Sequence, residues 1–452
     1  MVATAALLRD QALTGTCPAE VAGVARDSRA VTAGQAYVWQ SDEAAHTAEA
    51  RARGATLVIG SAAGADLHTS SPRWTFARAS AAMHGCDRLS FPLLATTGTK
   101  GKSTITHLTW WMLGVGAARI GTIGWHDGTS ERPNRQTTPP PEELHAFLAG
   151  LPATCPGLAL EASSHAGDQH RLAGLSFAAL AFTGFGHDHL DYHGTMAGYV
   201  QAKLRLIRLV RPGGLVVVNA DDARAGLIAQ AARHAGARVE LLGSERFTLR
   251  PDGWHWDGAA LPINLPGAFN AWNAAAAVLL AGMAGVDRAT ALARLATCPP
   301  PAGRMELLAH APATYVDFAH TPESIALAIA AVRGAHPGAR LAIVFGCGGD
   351  RDATKRAPMG RAAATADVVV ITTDNSRSED PTAIAAQIAS GLGATSHVVI
   401  PERAEAIRHA RSVVGRAGVV LVAGKGHETS QDIGGTVRPW SDRDFVAGLD
   451  RA

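Results

Sequence analysis

The chain has 452 residues, with 41 lysines and arginines against 39 aspartates and glutamates and a formal net charge of +2. That balance excludes a strongly basic nucleic-acid binder, and the hydrophobic content of 47% supplies the cores of an ordinary globular protein of about two to four domains. No apolar run approaches the roughly 18 residues of a membrane-spanning helix, and Met1 to Leu8 carries no basic segment, so no membrane partner and a cytoplasmic location are expected.

Cys17, Cys86, Cys155, Cys298 and Cys347 are scattered and include no C-x-x-C pair, which argues against a disulfide framework or a zinc knuckle and for small buried hydrophobes.

Residues 1–88 read as a small α/β unit. Asp27-Ser28-Arg29 precedes a turn at Gly34, a strand at Ala36–Trp39, a helical stretch at Ala44–Arg53 and a second strand at Ala55–Gly60. Residues 61–90 are polar and read as a linker. The segment from 91 to 113 carries the most chemistry. Phe91–Ala95 reads as a buried strand, Gly98-Thr99-Lys100-Gly101-Lys102-Ser103 as a tight loop, and the stretch to Leu113 as a helix. Glycines there let backbone N–H groups close on phosphate oxygens, the helix start adds positive potential, Lys102 spans two phosphates and Ser103 ligates Mg²⁺. The strict P-loop spacing fails, because Thr96 stands where the first glycine belongs.

Strand-like and helix-like segments then alternate. Arg119–Gly124, Gly157–Leu160, Ala178–Phe182 and Leu215–Val218 read as strands, and Pro299-Pro300-Pro301 marks a boundary near residue 302. Beyond it, Leu341–Phe345, Val368–Thr372, His397–Ile400 and Val419–Val422 repeat the pattern. The fold class is therefore α/β with doubly wound parallel sheets, whose ligands gather at the carboxyl ends of strands. The loop at 98–103, Glu161, His187–His189, Asp221–Asp222, Asp374–Arg377 and Gly424–Glu428 all fall at such ends. Mg²⁺ needs few protein oxygens, so Ser103 with Glu161 is a sufficient site; His189 reads equally as a ligand or as a histidine hydrogen-bonded behind one.

Several motifs occur in order: Thr97-Gly98-Thr99-x-Gly101-Lys102-Ser103, Glu161-x-Ser163-Ser164-His165, Asp188-His189-Leu190-Asp191-Tyr192-His193-Gly194 and Tyr199-x-x-x-Lys203. Gly303-Arg304-Met305-Glu306, Asp317-x-Ala319-His320-Thr321-Pro322, Gly346-x-Gly348-Gly349-Asp350-Arg351 and Gly424-Lys425-Gly426-His427-Glu428 follow. Together they resemble the Mur ligases, the ATP-dependent amide-forming enzymes of peptidoglycan precursor assembly. Within that superfamily the chain looks most like the branch adding diaminopimelate or lysine to UDP-N-acetylmuramoyl-L-alanyl-D-glutamate.

The resemblance implies three domains: an N-terminal uridine-nucleotide binder (1–88), a central P-loop-type parallel-sheet ATPase (89–302) and a C-terminal Rossmann-like amino-acid binder (303–452). It implies a monomer whose partners are small molecules, and an acyl phosphate made from the acceptor carboxylate and ATP. By position, Gly98, Thr99, Lys100, Gly101 and Lys102 would bind ATP, with Ser103 and Glu161 on a first Mg²⁺. His189 would touch a second Mg²⁺ beside Lys203, which in the family is carbamylated. Asn270 and Asn273 would lie near the adenine, where helix-start capping is the plainer role, and Arg304 and Asp317 would close on ATP. Ser28, Thr137, Thr138, Ser163, Gln169 and Arg171 would hold the nucleotide-sugar peptide. Arg351, Asp374, Asn375, Arg377, Gly424 and Glu428 would hold the amino acid, two arginines and two carboxylates complementing a doubly zwitterionic diaminopimelate.

The chain departs from the family pattern at Lys100, at Gly184 and His187, at Ser376 in place of a proline, and by lacking an Asp-Gly-x-x-Phe segment in residues 40–60. Two further readings are open at this point. One is a relative in specialised metabolism that joins another amino acid to another carboxylate. The other is a nucleotide-binding regulator without turnover. The folate polyglutamate ligases share the ATPase core, but Asp374–Arg377 with Gly424–Glu428 fit the muramoyl branch better.

Overall fold

In the computed structural model the described residues are 1–8, 13–39, 44–61, 64–134, 136–186 and 188–450. The chain divides into two compact units, Met1–Ser244 with Ala276–Arg294, and Glu245–Ala275 with Leu295–Ala452.

Among the described residues the first unit holds three sheets, the smallest a two-stranded antiparallel pair of Val2–Ala3 with Glu20–Val21. A five-stranded sheet runs Thr14–Gly15, Leu67–His68, Leu57–Gly60, Ala36–Val38, Val24–Ala25, parallel except at the Thr14–Gly15 edge. An eight-stranded sheet runs Glu131–Arg132, Gly124–His126, Ala118–Gly121, Leu158–Glu161, Leu93–Thr97, Phe177–Phe182, Val210–Asn219, Arg238–Leu242. From Ala118–Gly121 onward every pairing is parallel. Its central strands are buried on both faces, which is why they read as unbroken apolar runs.

Three local expectations are corrected. The supposed linker contains a helix, Pro72–Met83: Pro72 pre-sets its first turn, Phe76 and Ala79 pack into the core of the five-stranded sheet, and Ala81 packs into that of the eight-stranded one. Arg119–Gly124 is two strands, because the chain turns at Thr122 and Ile123 and Gly124–His126 pairs antiparallel with Ala118–Gly121. The strand expected at Phe91–Ala95 starts at Leu93 and runs to Thr97, where the sheet pairs Thr96 with Glu161 and Thr97 with Phe182.

The second unit has a six-stranded sheet ordered Glu306–His310, Ala313–Asp317, Val419–Ala423, Leu341–Phe345, Val368–Ile371, His397–Val399. All pairings are parallel save the first. A three-stranded antiparallel piece (Phe247–Arg250, Gly253–Trp256, Ala259–Ala260) and a hairpin (Ser430–Ile433 with Thr436–Pro439) complete it. Its core lies on both faces of the sheet. Among the described residues no helix is long and apolar enough to cross a membrane. Four cysteines are buried as expected, whereas Cys17 is exposed.

His145, wholly buried in the first unit, shares a hydrogen bond of 3.0 Å between Nδ1 and Ser80 Oγ, and its Nε2 has no partner among the described residues. Burial, with the nearby His84 charge, pushes its pKa down from 6.5 to about 3. The unfolded chain therefore binds the proton first, so stability present above pH 6.5 drains away as the pH falls toward the folded value. Between pH 7.5 and 4.5, urea unfolding should show the wild type losing stability more steeply than His145→Met, by up to about 1.4 kcal/mol per pH unit. Parallel curves would remove His145 from the acid response.

Candidate functional site

In the first unit the loop after Leu93–Thr97 closes because two of its residues are glycine. Gly98 sits at φ +137°, where an added Cβ would stand 1.9 Å from Thr183 Oγ1, and Gly101 sits at φ +83°. Thr99 N–H donates to Gly184 O at 2.9 Å, and Thr99 Oγ1 accepts from Gly186 N–H at 2.8 Å and bonds Tyr199 OH at 2.9 Å. The helix Lys102–Leu113 starts directly behind, with Ser103 buried in its first turn, where backbone N–H groups lack intrahelical acceptors. That is an anion-binding end.

Lys102 Nζ donates to Gly98 O at 3.0 Å and to Thr99 O at 3.1 Å. Lys203, wholly buried on Met196–Leu204, donates to the same Gly98 O, and its ammonium lies 4.6 Å from the Tyr199 ring centroid. Burial first, and the Lys102 charge second, hold its pKa well below the usual lysine range. Two cations thus converge on one carbonyl.

Glu161 ends Leu158–Glu161, directly across the ladder from Thr96. Its Oε1 accepts Thr122 N–H at 2.7 Å and its Oε2 accepts the Thr122 hydroxyl at 3.1 Å. Gly121 makes room: a Cβ there would stand 2.3 Å from Oε1. Thr122 Oγ1 bonds Thr137 Oγ1 at 3.0 Å, and the buried Thr138 hydroxyl donates to Glu161 O at 2.7 Å. Thr138 also accepts Ser163 N–H, Arg171 donates to Thr138 O and Gln169 Oε1, and Gln169 donates to Tyr192 OH. Thr137, Thr138, Glu161, Ser163, Gln169 and Arg171 therefore form one hydrogen-bonded run, and Thr122, unseen from the sequence, is the residue that aims the carboxylate.

His189 takes a left-handed backbone (φ +53°), with its ring 5.0 Å from that of His165 and 6.5 Å from that of Tyr199. Desolvation by the surrounding chain lowers its pKa against the opposing pull of Asp188, although 47% of the side chain stays exposed. Among the described residues no group of three or more His, Cys, Asp or Glu forms a metal cluster. Mg²⁺ on Ser103, one carboxylate and waters needs none. Ser28 stands apart: its hydroxyl donates to Glu49 at 2.7 Å. His187 lies outside the described residues. Gly184 takes φ +129°, and an added Cβ would stand 3.2 Å from Asp222 Oδ2, so a side chain there would be strained.

In the second unit Asp317 ends Ala313–Asp317 and accepts Met305 N–H at 2.8 Å; burial raises its pKa against the Arg304 charge. The Arg304 guanidinium packs 4.5 Å from the Phe318 ring centroid. Asn270 donates to Pro266 O and Asn273 donates to Asn270 Oδ1, so neither side chain caps the helix start by accepting an N–H.

The loops after Val368–Ile371 and Val419–Ala423 bring Asp374, Asn375, Gly424 and Glu428 together. A Cβ on Gly424 would stand 2.7 Å from Asp374 Oδ2. Arg377 (φ +49°) is bridged to Ile433, donates its N–H to Asp432 O at 3.1 Å and its guanidinium to Gly349 O. Gln431 Nε2 donates to Thr373 O at 3.0 Å. The hairpin therefore braces the loop in which Ser376 replaces proline. Arg351 lies on an exposed bend. Lys425, Arg403 and Asp442 were missed from the sequence, although Lys425 lies inside the Gly424–Glu428 motif. Arg403 and Asp442 are wholly buried and paired fork to fork at 2.7 Å, and Arg403 also donates to Ala423 O beside Gly424.

A sequence profile of the Mur ligase middle domain matches residues 96–281, and one of the Mur ligase glutamate ligase domain matches residues 303–426. The chain belongs to the Mur ligase family. It is 38% identical over 458 residues to the UDP-N-acetylmuramoyl-L-alanyl-D-glutamate–2,6-diaminopimelate ligase of Agrobacterium fabrum, covering 94% of this chain and 92% of that protein. It is 41% identical over 391 residues to the ligase of the same name from Alkalilimnicola ehrlichii, covering 81% and 78%. A solved structure of a UDP-N-acetylmuramoyl-L-alanyl-D-glutamate–2,6-diaminopimelate ligase superposes on this Mur ligase with a TM-score of 0.67 at 28% identity, covering 96% of each chain.

Removing one half of the Arg403–Asp442 pair leaves a buried uncompensated charge. Asp442→Ala should cost about 3–5 kcal/mol, read as a lower urea midpoint, while the paired replacement Arg403→Met/Asp442→Leu should cost much less. Equal costs would mean that packing, not charge, is what the pair supplies.

Proposed function

We propose that this Mur ligase adds meso-diaminopimelate to UDP-N-acetylmuramoyl-L-alanyl-D-glutamate in peptidoglycan precursor synthesis, converting ATP to ADP and phosphate through an acyl phosphate. The observation that carries the reading is the convergence of Lys102 and Lys203 on Gly98 O at a helix start, beside a carboxylate braced by Thr122. A triphosphate is an anion to which both cations can turn, and the relatives' shared name supplies the substrates.

The donors fit magnesium and nucleotide. Ser103 and Glu161 would hold one Mg²⁺ and His189 with Lys203 a second; bound metal would neutralise charge on the transferring phosphoryl group. Gly98, Thr99, Lys100 and Gly101 cradle phosphate, with Asn270, Asn273, Arg304 and Asp317 assigned to the rest of ATP. The acceptor carboxylate attacks the γ-phosphorus and ADP leaves. The amine of the amino acid then attacks the acyl carbon, loses a proton, and phosphate departs. Thr137, Thr138, Ser163, Gln169 and Arg171 position the peptide end of the acceptor, and Ser28 its uridine end. Arg351, Asp374, Asn375, Arg377, Gly424 and Glu428 orient the amino acid. The Lys203 amine, its pKa held low by burial, would on adding carbon dioxide and losing a proton become a carbamate able to offer the second metal an oxygen ligand. Three functional segments, 1–88, 89–302 and 303–452, carry acceptor, ATP and amino acid, and the enzyme works as a cytoplasmic monomer.

Purified protein with ATP, Mg²⁺, the UDP-muramoyl dipeptide and diaminopimelate should release phosphate only when acceptor and amine are both present. No release with any of a panel of amino acids would overturn the assignment, and release with a different acceptor would point to specialised metabolism. Lys203→Ala should lose activity, with partial rescue by short carboxylates and none by bicarbonate. Gly121→Ala, which crowds Glu161 Oε1, should raise the Mg²⁺ concentration for half-maximal rate about tenfold with little change in Tm.

A further inference from the structure

We propose that Lys425 is a positioning residue for the amino-acid pocket, a built-in ammonium that fixes Glu428 and Asn375 so that one Glu428 oxygen faces the incoming amine. The inference rests on the function proposed above. Its starting point is a conflict between charge and role. Asp374, Asn375 and Glu428 are the groups assigned to receive a substrate ammonium, yet an ammonium of the protein already lies among them. The Lys425 side chain is wholly buried, and its Nζ donates to Glu428 Oε2 at 2.7 Å and to Asn375 Oδ1 at 3.0 Å, 3.9 Å from Asp374 Oδ1.

The contacts are uneven in a way that leaves room for a ligand. Glu428 Oε2 takes both Lys425 and Asn375 Nδ2, the latter at 2.9 Å. Among the described residues Glu428 Oε1 has no donor, although a third of that side chain stays exposed. Asn375 is held on its other sides too: its Oδ1 also accepts Asp432 N–H at 3.0 Å from the hairpin. One carboxylate oxygen is therefore saturated and immobilised by buried donors, and its twin is left open. With Lys425 counted, two carboxylates and one ammonium leave a single negative charge, the complement of one substrate ammonium. Without it, two carboxylates would repel each other beside Arg377 and attract metal cations or a second amine. Lys425 thus sets how many amines the pocket takes and where the one it takes must sit.

The test is steady-state phosphate release by the full-length wild type, Lys425→Met, Glu428→Gln and the double variant. Lys425→Met should raise the KM for diaminopimelate about tenfold or more, leave the KM for ATP within about twofold, and lower kcat less than it raises that KM. In the double variant the diaminopimelate KM should match that of Glu428→Gln alone, because Lys425 acts through Glu428. Equal rises in both KM values, an unchanged diaminopimelate KM, or effects of the two substitutions that multiply would overturn the proposal. Should Lys425→Met not fold by circular dichroism, the comparison of the double variant with Glu428→Gln decides alone: matching KM values support it and a further rise overturns it. A wild type without turnover on any amino acid would instead overturn the function on which the proposal stands.

Discussion

One carbonyl oxygen organises the catalytic half of the chain. Gly98 O accepts from Lys102 and from Lys203, two like charges drawn to one partial negative charge. Such a contact is sustained by geometry rather than by electrostatics, since burial and then the Lys102 charge lower the tendency of Lys203 to hold a proton. Three elements supply that geometry: the glycine backbone of the loop, the helix Lys102–Leu113 and the helix Met196–Leu204. Thr99 ties them together through Tyr199 and the segment at 184–186. The arrangement is costly without an anion and favourable with one, which is how a phosphate site stores its affinity before the ligand arrives.

The same sheet decides where the carboxylate goes. Because Leu158–Glu161 pairs in parallel with Leu93–Thr97, both chains leave the sheet at the same end, and Glu161 emerges beside the loop. This much was legible in the sequence: short apolar runs ending in Thr-Gly or Glu name parallel strands and their carboxyl ends. What periodicity left unread is where a side chain turns after it leaves the strand. Thr122 aims Glu161 from a turn that apolar patterning merged with the preceding strand, and Ser28 spends its hydroxyl on Glu49. The helix Pro72–Met83 was hidden for a similar reason. It buries alanines and one phenylalanine, and alanine carries too little hydropathy to distinguish a packed face from a polar linker.

The departures from the family pattern divide along the same line. At Gly184 the backbone itself demands glycine, so this departure is matched by the local path of the chain. At Ser376 the rigidity that proline would give comes instead from outside the loop. Asp432 O in the hairpin accepts the Arg377 N–H, and Gln431 of the hairpin donates to Thr373 O. The cost that remains is the Ser376 hydroxyl, wholly buried and without a partner among the described residues. A local sequence motif shows only that a proline is gone; the brace lies more than fifty residues later and is visible only in three dimensions.

The phosphate loop and the second unit handle charge by opposite rules. Around the phosphate loop like charges are gathered on a neutral carbonyl, which suits a ligand that is itself highly charged and arrives with its metal. In the second unit buried charges sit against partners of the other sign: Arg403 with Asp442, Arg356 with Glu379, Lys425 with Glu428. A zwitterion carries little net charge, so a site built for one gains nothing from a strong net field and depends instead on where each oxygen and nitrogen is fixed. Buried pairs are poor sources of stability, since desolvation offsets most of their attraction, but they hold direction well because breaking either half is expensive. Orientation is what a pocket needs if it is to distinguish a diaminopimelate from an amino acid that lacks the distal carboxylate, and the paired lysine and arginines supply it at positions the substrate does not itself have to order.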